Sequence, residues 1–260
     1  MKPPRRLLTW PQGNTKISKG LIPTYSLFLA PDTVAGGRTV CPKASDGCRL
    51  ACLNTAGKGT FTTVQQGRIR KTLALHADRD AFYAQLAKEI NLAIKRHGVT
   101  NRHKTPRIAF RLNGTSDLPH LAQCFVRGHW WDEKVYRFDY EGILNAVLNR
   151  LPKGVIFYDY TAVPSYEEVA RLASQKSSGA RYHVTFSRKE NNEAQWRAVM
   201  AEGGNVAVVF RGRIPERWEG FQVINGDVND ERWTDPENVI VGLKAKGKAK
   251  HDQTGFVVDV

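Results

Sequence analysis

Three of the four cysteines lie close together, in the segment CPKASDGCRLACLNTAGKG at residues 41–59. Six residues separate Cys41 from Cys48, and three separate Cys48 from Cys52. If CRLAC is helical, the thiols of Cys48 and Cys52 project from one face, because residues four apart are neighbours on a helix. A proline and a glycine between the first two cysteines favour a tight loop that returns Cys41 towards the others. Three thiolates can therefore converge on one small volume, which is typical of a metal centre.

Two kinds of metal centre suit three such ligands. A structural zinc ion takes four ligands, commonly as two closely spaced pairs, so zinc would need Cys124 or a histidine as its fourth ligand. An iron–sulfur cubane can be held by three local cysteines, with a distant fourth ligand or with one iron open to an exogenous molecule. We favour a [4Fe–4S] cluster on Cys41, Cys48 and Cys52, with zinc as the alternative. Three unligated buried thiols are the remaining interpretation.

The fourth cysteine has two possible roles. Cys124 lies in the segment LPHLAQCFVRG, shortly after a predicted strand. The predicted fold brings this segment towards the three thiols, where Cys124 can serve as the fourth ligand. A core position on an amphipathic helix, on the same face as Leu121, explains this cysteine equally well.

The residues after Cys52 continue the loop as LNTAGKG. Its glycines allow the backbone to approach a ligand closely, and a lysine can pair with an anion. We therefore predict that Asn54 and Lys58 contact a cofactor, with an ordinary turn as the alternative. The segment is not a phosphate-binding loop of the Walker type, because it lacks the earlier glycine and the following serine or threonine.

The elements that must position this loop alternate between strands and helices. Strands are predicted at residues 24–31, 106–114, 153–162, 180–188, 204–212, 221–226 and 238–246. Helices are predicted at residues 61–77, 78–98, 141–152, 165–175 and 191–203. This alternation indicates an α/β protein with a parallel sheet, as a complete or partial (β/α) TIM-like barrel. An open doubly wound sheet is the alternative.

One domain accounts for most of the chain. Residues 1–20 read as an irregular basic arm, and residues 21–260 as a single barrel-like domain that carries the cysteine loop. Sites in such folds lie at the carboxyl ends of the strands. The side chains predicted there are Asn113 for cofactor binding and Asp117, Asp159 and Arg188 for catalysis. Turn formation and helix capping are the simpler explanation of each, of Asp117 above all.

Charge and composition restrict the partners and the compartment. The chain has 260 residues, a formal net charge of +14 and a pI of about 9.8. An excess of this size is typical of proteins that contact nucleic acid or nucleotides through a basic surface. No apolar run is long enough for a membrane helix or a signal peptide. These features predict a cytoplasmic protein without a membrane partner, and they leave its oligomeric state open.

Two resemblances extend these predictions. The cysteine loop follows the first predicted strand, as does the cluster loop of radical S-adenosylmethionine enzymes, although those enzymes have three and then two residues between their cysteines. The blocks FRLNGTSDLP, IFYDYT, VTFSRKENN, INGDVNDERW and IVGLKAKGKAKHDQTGFVVD, together with the cysteine segment, resemble a phage-encoded family, gene product 88. That resemblance implies a bacteriophage origin, hence the cytoplasm of the host cell, and cluster ligation at Cys41, Cys48 and Cys52.

The resemblances leave two functions open. In the first, the protein is an enzyme whose open iron binds S-adenosylmethionine and generates a deoxyadenosyl radical. In the second, the cluster is fully ligated and serves stability or redox sensing, while the basic surface binds nucleic acid. Zinc in place of the cluster is a variant of the second.

Overall fold

A ten-stranded, mostly parallel sheet dominates the computed structural model, which describes residues 3–13, 16–127, 148–163 and 181–260. The strands are β1 (Leu8–Thr9), β2 (Thr24–Leu27), β3 (Ile108–Arg111), β4 (Val155–Thr161), β5 (Tyr182–Ser187), β6 (Val206–Phe210), β7 (Arg217–Trp218), β8 (Phe221–Asn225), β9 (Ile240–Lys244) and β10 (Val257–Val258). All seven predicted strands are present, as β2 to β6, β8 and β9.

The strands lie in the order β1-β2-β3-β4-β5-β6-β9-β8-β7. The inner pairs are parallel, whereas β1 and β7 pair antiparallel with β2 and β8. In the part of the chain that the structure describes the sheet does not close, because β1 and β7 are its two ends. Strand β6 pairs with β5 at Val206 and Ala207. Closer to its carboxyl end it pairs with β10, where Val257 lies opposite Val209.

The helices are α1 (Asp46–Leu50), α2 (Thr62–Ala77), α3 (Arg79–Arg96), α4 (His120–Arg127) and α5 (Glu193–Ala201). The apolar spacing of α3 is confirmed, since Phe82, Leu86, Ile90 and Ile94 are all buried. The side chain of Asp78 caps this helix by accepting a hydrogen bond from the amide of Ala81 at 2.9 Å. None of the described helices is long and apolar enough to cross a membrane.

The two faces of the sheet differ in character. On one face, Phe110 and Phe157 pack against α3 in the largest hydrophobic cluster. On the other, Arg111 contacts the carboxylate of Asp230 at 2.9 Å, and the hydroxyl of Tyr158 donates to the same carboxylate at 3.0 Å. Side chains alternate between the two faces along a strand. Phe110 and Phe157 therefore lie in the apolar layer, whereas the residues that follow them, Arg111 and Tyr158, contact the carboxylate of Asp230.

The N-terminal segment is more ordered than the predicted irregular arm. Leu7 and Leu8 are buried, and Leu8 pairs with Leu27 in the sheet. The carboxylate of Glu89 accepts hydrogen bonds from the amides of Leu7 and Leu8, both at 2.8 Å. The helix predicted at 141–152 lies largely outside the described residues, and that at 165–175 lies wholly outside them.

Candidate functional site

Cys41 lies where the loops after β2 and β3 meet. The amide of Asp32 donates to its sulfur at 3.4 Å, and its thiol donates to the carbonyl of Thr115 at 3.7 Å. The two strands are parallel neighbours, so their carboxyl ends share one edge of the sheet. The first cysteine is therefore held at the edge where the sequence places the site.

Helix α1 presents Cys48 but ends before Cys52. Ser45 caps the helix by accepting a hydrogen bond from the amide of Cys48 at 3.2 Å. The helix stops at Leu50, and Cys52 precedes a separate 3-10 turn at Leu53–Thr55. The condition that CRLAC is helical is therefore met only by its first three residues, and Cys48 and Cys52 do not project from one helix.

Electrostatic effects link the three thiols. Burial, with smaller contributions from the nearby sulfurs of Cys52 and Cys48, raises the pKa of Cys41 to about 12. Burial also raises the pKa of Cys48 to about 11, again with a contribution from Cys52. Burial raises the pKa of Cys52, while Arg68 acts in the opposite direction. All three are free thiols on half-buried residues.

A buried acid faces two of these thiols. Asp117 accepts hydrogen bonds from the Thr161 hydroxyl at 2.7 Å and from the Ala162 amide at 2.8 Å. Burial raises its pKa to about 6, against the effect of these hydrogen bonds. The charge of Asp117 raises the pKa of both Cys41 and Cys48. Asp117 thus ties the loop after β3 to the end of β4 and can hold a proton beside the thiols.

The other predicted residues of this edge form a hydrogen-bonded group. Asp159 accepts from the amide of Asn113 at 2.6 Å and from the hydroxyl of Tyr182 at 3.2 Å. Burial raises its pKa to about 7. The side-chain oxygen of Asn113 accepts from Ser116 at 2.9 Å. Asn113, Asp117 and Asp159 therefore lie together, as their strand-end positions predict, but Asp159 is fully enclosed by protein groups.

Two residues that sequence reasoning missed connect β5 to the cysteine loop. The ammonium of Lys189 donates to the carbonyl of Lys43 at 2.6 Å, and its charge lowers the pKa of Cys48. Glu190 accepts from the Ser45 hydroxyl at 2.8 Å and from the Gly47 amide at 2.9 Å. Their position directly after a predicted strand is the same signal that selected Arg188.

Arg188 has a different role from its neighbours. Its guanidinium donates to the carbonyl of Phe256 at 3.0 Å and also to that of Gly255. Burial lowers its pKa. The side chain thus holds the C-terminal segment against the sheet.

The loop residues Asn54 and Lys58 lie in different environments. Asn54 is buried, accepts a hydrogen bond from Arg68 at 2.5 Å, and donates through its amide to the sulfur of Cys52. Lys58 is exposed on the turn that follows. Asn54 therefore shapes the thiol environment, whereas Lys58 faces solvent.

Cys124 is a core residue. Its side chain is fully buried in the hydrophobic cluster around α3, together with Leu121. Burial alone raises its pKa, with no contribution from another thiol. The structure thus places Cys124 in the core position that the amphipathic pattern of its helix also indicated.

The three thiols do not surround a single ion as they stand. Among the described residues, no group of three or more histidine, cysteine, aspartate or glutamate side chains has the arrangement that holds a metal ion.

The comparison with known protein families establishes the family of the chain. The sequence pattern of the family described as gene product 88 matches residues 6–260. The chain belongs to the gene product 88 family. Membership suggests a phage origin, and the match includes the cysteine loop and both buried acids. Searches of curated proteins and of solved structures found no match.

Proposed function

We propose that the protein holds a [4Fe–4S] cluster through thiolates of Cys41, Cys48 and Cys52. The observation that carries this proposal is a loop with three free thiols at the carboxyl edge of a parallel sheet, in which Cys48 and Cys52 both raise the pKa of Cys41. Iron–sulfur clusters are held by cysteine thiolates, and three local cysteines can supply most of the ligands. The edge is also where α/β folds bind their ligands.

The number of clustered cysteines favours a cluster over zinc. Structural zinc takes four ligands, commonly as two closely spaced pairs, whereas three local cysteines can hold an iron–sulfur cubane. Cys124, the obvious fourth zinc ligand, is enclosed in the core.

Two cations near the thiols support an anionic centre. Lys189 lowers the pKa of Cys48 and Arg68 that of Cys52, against the carboxylates of Asp117, Glu190 and Asp32, which raise the pKa of these thiols. Three thiolates buried without such cations would be costly, because burial disfavours the charged form. The two cations offset part of this cost when the thiols lose their protons to iron.

The finer proposal is an enzyme resembling the radical S-adenosylmethionine family, on a complete or partial TIM-like barrel. The three-cysteine set leaves one iron open for S-adenosylmethionine, and the cluster would supply one-electron chemistry. Asp117 would hold a proton beside the thiols, and Asn113 and Asp159 would shape the floor of the site. Given the phage origin, the protein would act in the cytoplasm of the host.

The second candidate is a fully ligated cluster with a structural or redox-sensing role in a nucleic-acid-binding protein. The observation in its favour is the formal net charge of +14. A fully ligated cluster needs a fourth ligand other than the three clustered cysteines.

Anaerobic purification followed by iron, sulfide and zinc analysis tests the proposal. About four irons and four acid-labile sulfides per chain are expected. The triple variant Cys41→Ala, Cys48→Ala, Cys52→Ala should lose them, and the matched variant Cys124→Ala should retain them. Zinc without sulfide would overturn the cluster. A low-temperature EPR spectrum of the reduced protein that changes on adding S-adenosylmethionine supports the enzyme, and an unchanged spectrum favours the fully ligated cluster.

A further inference from the structure

Four lysines form a strip at the carboxyl edge of the sheet. The segment KAKGKAK at residues 244–250 alternates lysine with small residues. Every lysine of the strip is exposed, whereas Ala245 and Ala249 are buried. The lysines of the strip are Lys244, Lys246, Lys248 and Lys250. The alternation therefore sorts the segment into a packed inner side and a charged outer side.

The inner side packs on the cysteine loop. Ala245 and Ala249 share a small hydrophobic cluster with Ala51, the residue before Cys52. Gly247 has a φ of +55°, and a Cβ there would lie 2.6 Å from the carbonyl oxygen of Thr55. Only glycine permits this approach without displacing the loop. The lysine strip is thus fixed directly beside the candidate metal centre.

The outer side carries little compensating negative charge. Lys246 pairs with Asp227 at 2.6 Å. Within the described residues, Lys244, Lys248 and Lys250 form no ion pair. The nearby Asp259 is paired with Arg211. Arg211 also donates to the carbonyls of Lys250 and Asp252, which holds the backbone of the strip in place.

We propose that the lysine strip binds the phosphate backbone of a nucleic acid and holds it beside the cysteine loop. Lysines spaced along one backbone suit a regular array of phosphates. A membrane surface is less suited, because interfacial segments insert apolar side chains and the small residues of the strip are turned inward. An acidic protein would also require apolar or aromatic anchors, which the strip lacks. The proposal does not depend on the metal.

Binding of a fluorescein-labelled DNA duplex to the full chain tests the proposal. The test variant, Lys244→Gln, Lys248→Gln, Lys250→Gln, should bind the duplex more weakly. A variant with arginine at the same three positions should preserve binding. The matched control is Lys95→Gln, Lys104→Gln, Lys153→Gln, which removes the same charge. All three control lysines are exposed and precede β3 or β4, so they lie towards the opposite edge of the sheet.

The slope of log K against log salt should be shallower by about 2.7 in the test variant, because each phosphate contact contributes about 0.9. At about 0.1 M salt this corresponds to a several-hundredfold loss of affinity. The control should keep most of its affinity. An equal loss in the control, no DNA binding by the parent, or tighter binding of the parent to phosphatidylserine vesicles would each overturn the proposal. Iron measured on the same variants tests the metal centre separately.

Discussion

The ammonium of Lys189 donates a hydrogen bond to the carbonyl of Lys43, at 2.6 Å and largely shielded from water. The contact joins the end of β5 to the loop between Cys41 and Cys48. Glu190 contacts the same loop at Ser45 and Gly47. Two consecutive residues thus hold the cysteine loop in place, one with positive and one with negative charge.

Lys189→Met should loosen this loop, because methionine fills similar space but cannot donate to Lys43. A hydrogen bond from a charged group contributes about 1.5–3 kcal/mol, so we expect a loss of that order in the free energy of unfolding. Urea denaturation measures it, with iron content as the second readout. The exposed Lys88→Met is the control and should change stability by less than about 0.5 kcal/mol. Equal stability of the two variants would contradict the anchoring role.

The thiols of the metal-free chain should react slowly at neutral pH. Burial holds the pKa of Cys41 at about 12 and that of Cys48 at about 11. Because the thiolate is the nucleophile, alkylation by iodoacetamide near pH 8 should be slower than for an exposed cysteine by roughly two orders of magnitude at Cys48 and three at Cys41. Mass spectrometry of timed samples measures the rate at each site, with the urea-unfolded chain as control. Rapid labelling of both cysteines in the folded chain would show that they are solvated.

Asp159 should make the protein less stable as pH rises. Burial raises its folded pKa to about 7, so the folded chain holds a proton that the unfolded chain has already lost. Stability is therefore highest below the unfolded pKa, near 4, and falls as pH rises through about 7. Asp159→Asn keeps the acceptor for Asn113 and removes the titration.

Between about pH 5 and pH 8, the free energy of unfolding of Asp159→Asn should rise by on the order of 2 kcal/mol relative to that of the parent. Asp117, whose pKa is raised to about 6, leaves a residual decline in both proteins. Melting curves at several pH values check this. A parent whose stability rises over that range would contradict the burial of Asp159.

Asp230→Asn should lower the free energy of unfolding near neutral pH, whereas Asp159→Asn should raise it. Burial alone would raise the pKa of Asp230, but Arg111 and Lys16, at 2.9 and 3.0 Å, hold it below its usual range. Removing its charge leaves two cations without their partner, which costs about 3–5 kcal/mol for a buried pair. Urea denaturation near neutral pH measures the loss. Asp46→Asn, at an exposed salt bridge, is the control and should cost less than about 1 kcal/mol.

Cys124→Ala should destabilise the fold but leave the iron content unchanged. The side chain is fully buried among apolar residues, so its removal leaves a small cavity and costs about 1–2 kcal/mol. Iron analysis and urea denaturation of the same preparation separate the two effects. Loss of iron by a variant that still melts cooperatively would make Cys124 a ligand.

Local sequence patterns determined the elements of this protein. Short apolar-rich runs marked the seven main strands, and the spacing of Phe82, Leu86, Ile90 and Ile94 marked the buried face of α3. The cysteine spacing identified three thiols that could meet. Each of these features depends on residues close together in the chain, so the sequence displays them directly.

Tertiary structure decided what surrounds the thiols. The contacts of Lys189 and Glu190 join residues more than 140 positions apart, and no local pattern encodes such a distance. The same holds for the position of Cys124 in the core and for the packing of the lysine strip on the cysteine loop. Long-range pairing depends on how the strands order themselves in the sheet. That order places the end of β5 and the C-terminal segment at the edge where Cys41, Cys48 and Cys52 meet.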